Sequence, residues 1–160
     1  MQNVIFDPNK LKSARERAKA RNQIDSYFLH QEAAEIICDR LSVTNRQFEN
    51  VALLFDGVYA EKLKQTFEEN AQNIVGKFSI LSFPNGQEET IEHSENLYLE
   101  PNNYDLIISI FDLHWMNDLP GAFSQINKAL KPDGLFMSAL PSQDCLQFLN
   151  AALVEAETHY

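Results

Sequence analysis

The segment Tyr104 to Phe136, YDLIISIFDLHWMNDLPGAFSQINKALKPDGLF, leaves little freedom of fold. Asp105 to Ile110 is a short, largely apolar run, as expected of a strand buried on both faces. Asp118 then caps a helix whose first turn holds Pro120, where a missing N–H costs nothing. Leu119, Ala122, Phe123, Ile126 and Leu130 recur at helical spacing, Lys128 and Lys131 suit the C-terminal dipole, and Pro132 stops the helix. A further strand is predicted from Gly134 to Leu140. Strand, helix and parallel strand make one right-handed crossover of an open sheet, and such sheets bind ligands beyond their C-terminal strand ends. The loop at that position is FDLHWMNDLP, which carries Phe111, Asp112, His114 and Trp115.

The flanking sequence repeats the alternation. Leu29, Ala33, Ile36, Ile37 and Leu41 predict a one-faced helix with Asp25 or Ser26 as its cap. Val51 to Phe55 reads as a buried strand and is followed by Asp56-Gly57. Ala60, Leu63, Phe67, Ala71 and Ile74 predict the next helix, closed by Gly76, and Phe78 to Phe83 predicts a second strand. Pro84-Asn85-Gly86 signals a turn, and Leu97 to Leu99 a short third strand. Leu146, Leu149, Leu153 and Ala156 mark a last helix. The expected class is α/β, a mainly parallel sheet of about five strands with helices on both faces.

Charge divides the chain. Six of its 13 basic residues lie between Lys10 and Arg21 (Lys10, Lys12, Arg15, Arg17, Lys19, Arg21), opposed there by Glu16 alone. Beyond residue 22 the acidic residues outnumber the basic ones 21 to 7. Residues 1–24 are therefore read as a basic helical segment, resting on its own acidic domain or meeting an acidic partner or an anionic membrane, and residues 25–160 as the α/β domain. An acidic body repels phosphate backbones, which argues against nucleic acid as a partner. No apolar run is long enough to suggest a membrane span, and no h-region stands at the N-terminus. Cys38 and Cys145 are far apart, with no CxxC, and are expected as buried or half-buried thiols of a cytoplasmic protein. His30, His93, His114 and His159 show no metal-ligand spacing, and no Gly-x-Ser-x-Gly elbow or P-loop nominates another chemistry.

The HW-containing loop followed by a helix and Leu-Lys-Pro-Asp-Gly resembles class I S-adenosylmethionine-dependent methyltransferases, which have a Rossmann-like fold. Residues His114 to Phe136 are similar to one branch of them: the biotin-pathway malonyl-carrier methyltransferases and a methyltransferase-like assembly factor of respiratory complex I. Ile5-Phe6-Asp7, Asp25-Ser26-Tyr27 through Arg40-Leu41, Asp144-Cys145-Leu146 and Ala156-Glu157 extend the likeness to the assembly factor.

This resemblance implies S-adenosyl-L-methionine as cofactor, held by Phe55, Asp56, Gly57, Ser82, Glu95 and Phe111, with Asp112, His114 and Trp115 lining the substrate pocket. The acceptor implied is a small acid, a carrier-bound acyl group or a protein side chain. His114 is a candidate acid or base, because imidazole titrates near neutrality, or else packs its loop. No catalytic residue is otherwise nominated, as expected where catalysis rests on alignment. The match departs from the family in three places. Phe55-Asp56-Gly57-Val58-Tyr59-Ala60 has one glycine where the family's cofactor loop has three, so Asp56-Gly57 is either a remnant of that loop or an ordinary strand-to-helix turn. No acid follows the second strand before Glu88, and His93, Ser94 and Glu95 stand where an adenine-contacting Asp is usual. The alternative function is a non-catalytic assembly or scaffold module on a degenerate methyltransferase fold; a third is an incomplete product that still folds. The family's C-terminal strands are not found, so the edge at Gly134–Leu140 is expected to pair with a second copy or to be shielded by the terminal helix.

Overall fold

The computed structural model of the protein describes residues 4–21, 24–72, 74–81, 95–142, 145 and 147–158. Helix α1 (Pro8–Arg21) leads through a 3-10 turn (Ile24–Tyr27) to α2 (Phe28–Ser42). Strand β1 (Phe48–Leu54), helix α3 (Ala60–Asn70) and strand β2 (Val75–Leu81) follow. The remaining elements are β3 (Tyr104–Ile110), a 3-10 turn (Leu113–Trp115), α4 (Leu119–Ala129), β4 (Leu130–Ala139) and α5 (Gln147–Thr158). The sheet is wholly parallel in the order β2-β1-β3-β4.

The strand period of two divides the core. Val51 and Leu53 of β1, with Leu106, Ile108 and Ile110 of β3, pack under α2 and α3. Ala52, Leu54 and Ile107 face the other way, toward Ala122, Ile126 and Ala129 of α4. Both faces of the two central strands are therefore covered, which is why their sequences are nearly continuous in apolar residues.

Several expectations are corrected. Among the described residues the sheet has four strands rather than about five, because 95–100 forms no strand. The amide of Leu97 donates to the Gln125 side chain at 2.9 Å and that of Tyr98 to the Asn96 side chain at 2.9 Å, while Tyr98 has φ 49°. Side chains take the bonds a neighbouring strand would have taken, and Leu97 is buried without belonging to a ladder. Gly76 does not close a helix; it lies inside β2, where a Cβ would stand 2.7 Å from the Glu49 carbonyl oxygen. The N-cap of α2 is Tyr27, with no side-chain cap, rather than Asp25 or Ser26. The Lys131–Gly134 segment is not a free turn before a strand but an irregularity within β4. Tyr104 pairs with Leu130 and Leu106 with Leu135, so the intervening residues bulge, with Asp133 at φ 63°. Asp118 caps α4 as expected, accepting from Gly121 N at 2.8 Å. Cys38 is buried, but Cys145 is exposed.

Strand β4 is an edge of this sheet, and the side chains described on α5 are exposed, Phe148 at 92% and Leu153 at 56%. The terminal helix does not shield that edge through them. The expected turn at 84–86, Leu146 and the end of the second predicted strand lie outside the described residues. No helix among the described residues is long and apolar enough to cross a membrane.

Candidate functional site

The chain leaves β1 to build β2 on one side and returns to build β3 on the other. The crevice between the C-terminal ends of β1 and β3 is thus a topological switch point, where open parallel sheets bind ligands. Two loops converge there, Phe55-Asp56-Gly57 and Phe111-Asp112. Phe55 and Phe111 are still bonded to the sheet, through Leu81 O at 3.3 Å and Ala139 O at 2.9 Å. Phe111 has φ 54°, a left-handed conformation that a bulky residue adopts only when its surroundings impose it.

The backbone N–H of Asp56 donates to Asp112 Oδ2 at 3.0 Å, joining the two loops. Asp112 is buried, and burial pushes its carboxyl up to about 7 against the opposing pull of Arg15 and of the Asp56 amide. Two cations of α1 meet this pair. Arg15 reaches Asp56 Oδ2 and Asp112 Oδ1, both at 3.5 Å, and Lys19 Nζ donates to Asp56 Oδ1 at 2.8 Å. The basic helix therefore rests on the acidic domain at the switch point, through residues one helical turn apart.

Aromatic rings line the same place. His30 of α2 stands edge-on to Tyr27, Phe55 and Phe111, with centroids at 5.0, 5.5 and 5.2 Å. Tyr27 stacks on Tyr59 at 5.1 Å, and Tyr59 donates to Gln31. Gly57 fits this packing because a Cβ there would stand 2.8 Å from the Phe55 ring. Burial lowers the titration of His30, with a further contribution from His114. Burial likewise lowers that of His114, followed by the Arg15 charge. Nδ1 of each imidazole is buried and has no hydrogen-bond partner among the described residues.

Trp115 and Glu95 are engaged elsewhere in the same wall. Trp115 meets Phe6 edge-on at 5.3 Å, and Asn117 clamps that N-terminal arm by accepting from Ile5 N and Phe6 N and donating to Phe6 O. Glu95 accepts from Asn117 N and Asp118 N with its two carboxylate oxygens, at the start of α4. An open groove of about 580 Å³ runs along α4 between Glu95, Leu99 and Pro101 on one side and Gln125 and Lys128 on the other.

Of the residues expected at the site, Phe55, Asp56, Gly57, Phe111 and Asp112 converge at the switch point. His114 is near enough to influence His30 electrostatically. Glu95 and Trp115 hold the start of α4 and the N-terminal arm, and Ser82, His93 and Ser94 lie outside the described residues. Sequence reasoning missed Arg15, Lys19, Tyr27 and His30 as members of the site. The one signal available for the first two was the pairing of basic residues four apart, on a helix ahead of an acidic domain.

The methyltransferase domain family matches residues 2–159. The mitochondrial arginine-hydroxylase NDUFAF5 of Homo sapiens is 47% identical over 64 residues, 40% of this chain and 19% of that protein. The malonyl-[acyl-carrier protein] O-methyltransferase of Methylovorus sp. is 40% identical over 65 residues, 41% of this chain and 22% of that protein. These similarities span only about a fifth of either relative. Among solved structures, one chain of the complex between the Haloferax volcanii Trm112 methyltransferase activator and a candidate methyltransferase superposes with a TM-score of 0.55 at 17% identity. It covers 85% of this chain and 61% of that one, a likeness of fold.

Proposed function

The chain belongs to the methyltransferase domain family, and we propose that it uses S-adenosyl-L-methionine to methylate a group carried by a protein. The observation that carries this reading is the Asp56–Asp112 pair, joined by one hydrogen bond where the parallel strands β1 and β3 part. The donor set fits such a cofactor. Two carboxylates suit its cationic end, and the Phe55, Phe111, Tyr27 and His30 rings suit a nucleoside face or a sulfonium. His30 and His114 each bury an Nδ1 that has no hydrogen-bond partner among the described residues. When bound, the cofactor supplies an electrophilic methyl group.

The chain's own residues then bind, orient and deprotonate. Asp56 and Asp112 receive positive charge, while Phe55 and Phe111 exclude water from it. Gly57 keeps the first turn close to the Phe55 ring, and Glu95 fixes the wall by holding the start of α4. An acceptor N–H or O–H must lose its proton on methylation. Two imidazoles kept neutral by burial are suited to take it. As to the acceptor, one relative is named for arginine hydroxylation and the other for methylation of malonyl-[acyl-carrier protein]. The second name points to a protein-borne group, and that is the class we propose; since hydroxylation is an oxidation, an assay must read methyl transfer itself.

Calorimetry with S-adenosylhomocysteine tests the reading. Micromolar binding that disappears in Asp56→Ala supports it. An absence of heat at millimolar ligand sinks it and leaves the scaffold alternative.

A further inference from the structure

We propose that helix α1 is a displaceable strap, whose Arg15 and Lys19 hold the carboxylates that the cofactor's cationic end would otherwise claim. This rests on the cofactor reading above and adds how access to that site is controlled. The structure is then the self-covered form, and cofactor entry requires α1 to lift.

Charge is the first argument. Arg15 bridges Asp56 and Asp112 at 3.5 Å to each, and Lys19 takes the second oxygen of Asp56 at 2.8 Å. The three contacts reach loops from two different crossovers, so the helix closes the crevice rather than lying beside it. S-Adenosylmethionine brings a fixed sulfonium charge and an ammonium. Bringing those charges to carboxylates that already face a guanidinium and an ammonium sets like charges against each other.

The second argument is how lightly α1 is held. None of its described side chains is buried, and only Leu11, Arg15 and Lys19 are even half-covered. A helix that buries little apolar surface opens at small cost, and ion pairs near the surface are weakened by salt. Its N-terminal end is tied down separately, through Asn117 to Ile5 and Phe6 and through the Phe6–Trp115 contact. The arm can thus stay anchored while the helix swings.

The third argument lies beneath the helix. Among the described residues, His30 Nδ1 and His114 Nδ1 are both buried and without a hydrogen-bond partner at this crevice. A site finished for the covered form alone would have satisfied them.

The test compares the full chain with the Arg15→Gln/Lys19→Gln double variant, titrating each with S-adenosylmethionine and S-adenosylhomocysteine by calorimetry. Hydrogen exchange of residues 8–21 is followed alongside. The strap predicts at least tenfold tighter S-adenosylmethionine binding by the variant, and a smaller gain for S-adenosylhomocysteine, whose sulfur is uncharged. It also predicts faster exchange in α1 of the wild-type chain once ligand is bound. Equal or weaker binding by a variant with an unchanged melting temperature, or slower α1 exchange on binding, overturns the strap but leaves the cofactor reading standing. No binding by either protein at millimolar ligand removes both.

Discussion

Asp56 donates its backbone N–H to the carboxylate of Asp112 at 3.0 Å, so the loop that ends β1 is held by the loop that ends β3. The two residues are 56 positions apart, and each follows a strand of the same parallel pair. This bond fixes the width of the crevice between them. Asp112 is buried there, and burial raises its carboxyl to about 7 although the Asp56 amide pulls the other way.

That raised carboxyl has a consequence for stability. An unfolded Asp titrates near 3.9, so between about pH 4 and 7 the folded chain holds a proton at Asp112 that the unfolded chain has lost. This group therefore favours folding most at low pH, and its contribution falls as pH rises toward 7. Asp112→Asn keeps an acceptor for the Asp56 amide and removes the titration. Melting of the two proteins from pH 4.5 to 8 should show the variant gaining on the wild type as pH rises, by on the order of a few kcal/mol. A difference independent of pH would show that Asp112 does not titrate in this window.

Gly57 is set by packing rather than by backbone freedom. A Cβ would stand 2.8 and 3.1 Å from the Phe55 ring, which is 3% exposed and wedged against Tyr27 and His30. The ring cannot swing aside freely. Gly57→Ala should cost about 1–3 kcal/mol and reduce ligand binding with it, as read by denaturant unfolding and calorimetry. A loss below about 0.5 kcal/mol would mean that the loop yields without strain.

Glu95 links two parts of the wall. Its carboxylate satisfies the Asn117 and Asp118 amides at the start of α4, and Asn117 in turn holds Ile5 and Phe6. Glu95→Ala leaves those amides without their anionic partner and should cost about 1–3 kcal/mol. Hydrogen exchange should quicken at 117–118 and at 5–6 together. Quickening at 117–118 alone would mean that the arm is anchored independently of Glu95.

Much of this architecture was legible in the residues. β3 is a nearly continuous apolar run and α4 carries a clean period of 3.6, with Asp118 and Pro120 marking the helix start. The site was legible only where it follows a strand: Asp56 and Asp112 are the first acids past the two central strands. Arg15 and Lys19 were hidden because their partners lie up to 97 positions away and leave no local pattern. His30 sits on a helix whose apolar stripe explains itself without it. Leu97 and Leu99 look like strand residues, yet the amides of Leu97 and Tyr98 are met by side chains, which no alternation of hydrophobicity reveals.

The two imidazoles extend the argument from packing to chemistry. Burial lowers both His30 and His114, the charge of a neighbour adds to it in each case, and neither Nδ1 has a hydrogen-bond partner among the described residues. Below the ordinary imidazole range near 6.5 the unfolded chain takes up protons that the folded chain resists, so these groups destabilise the fold as pH falls. Their slope opposes that of Asp112, so they offset part of the loss that Asp112 brings as pH rises. Nuclear magnetic resonance of the ring protons separates the contributions. Both histidines should titrate with midpoints below 6.5, and His30 should move back toward that value when His114→Gln removes its neighbour's charge. A His30 midpoint above 7 would mean that the imidazole is mostly charged at neutral pH, and it could not then readily accept a proton from the methyl acceptor.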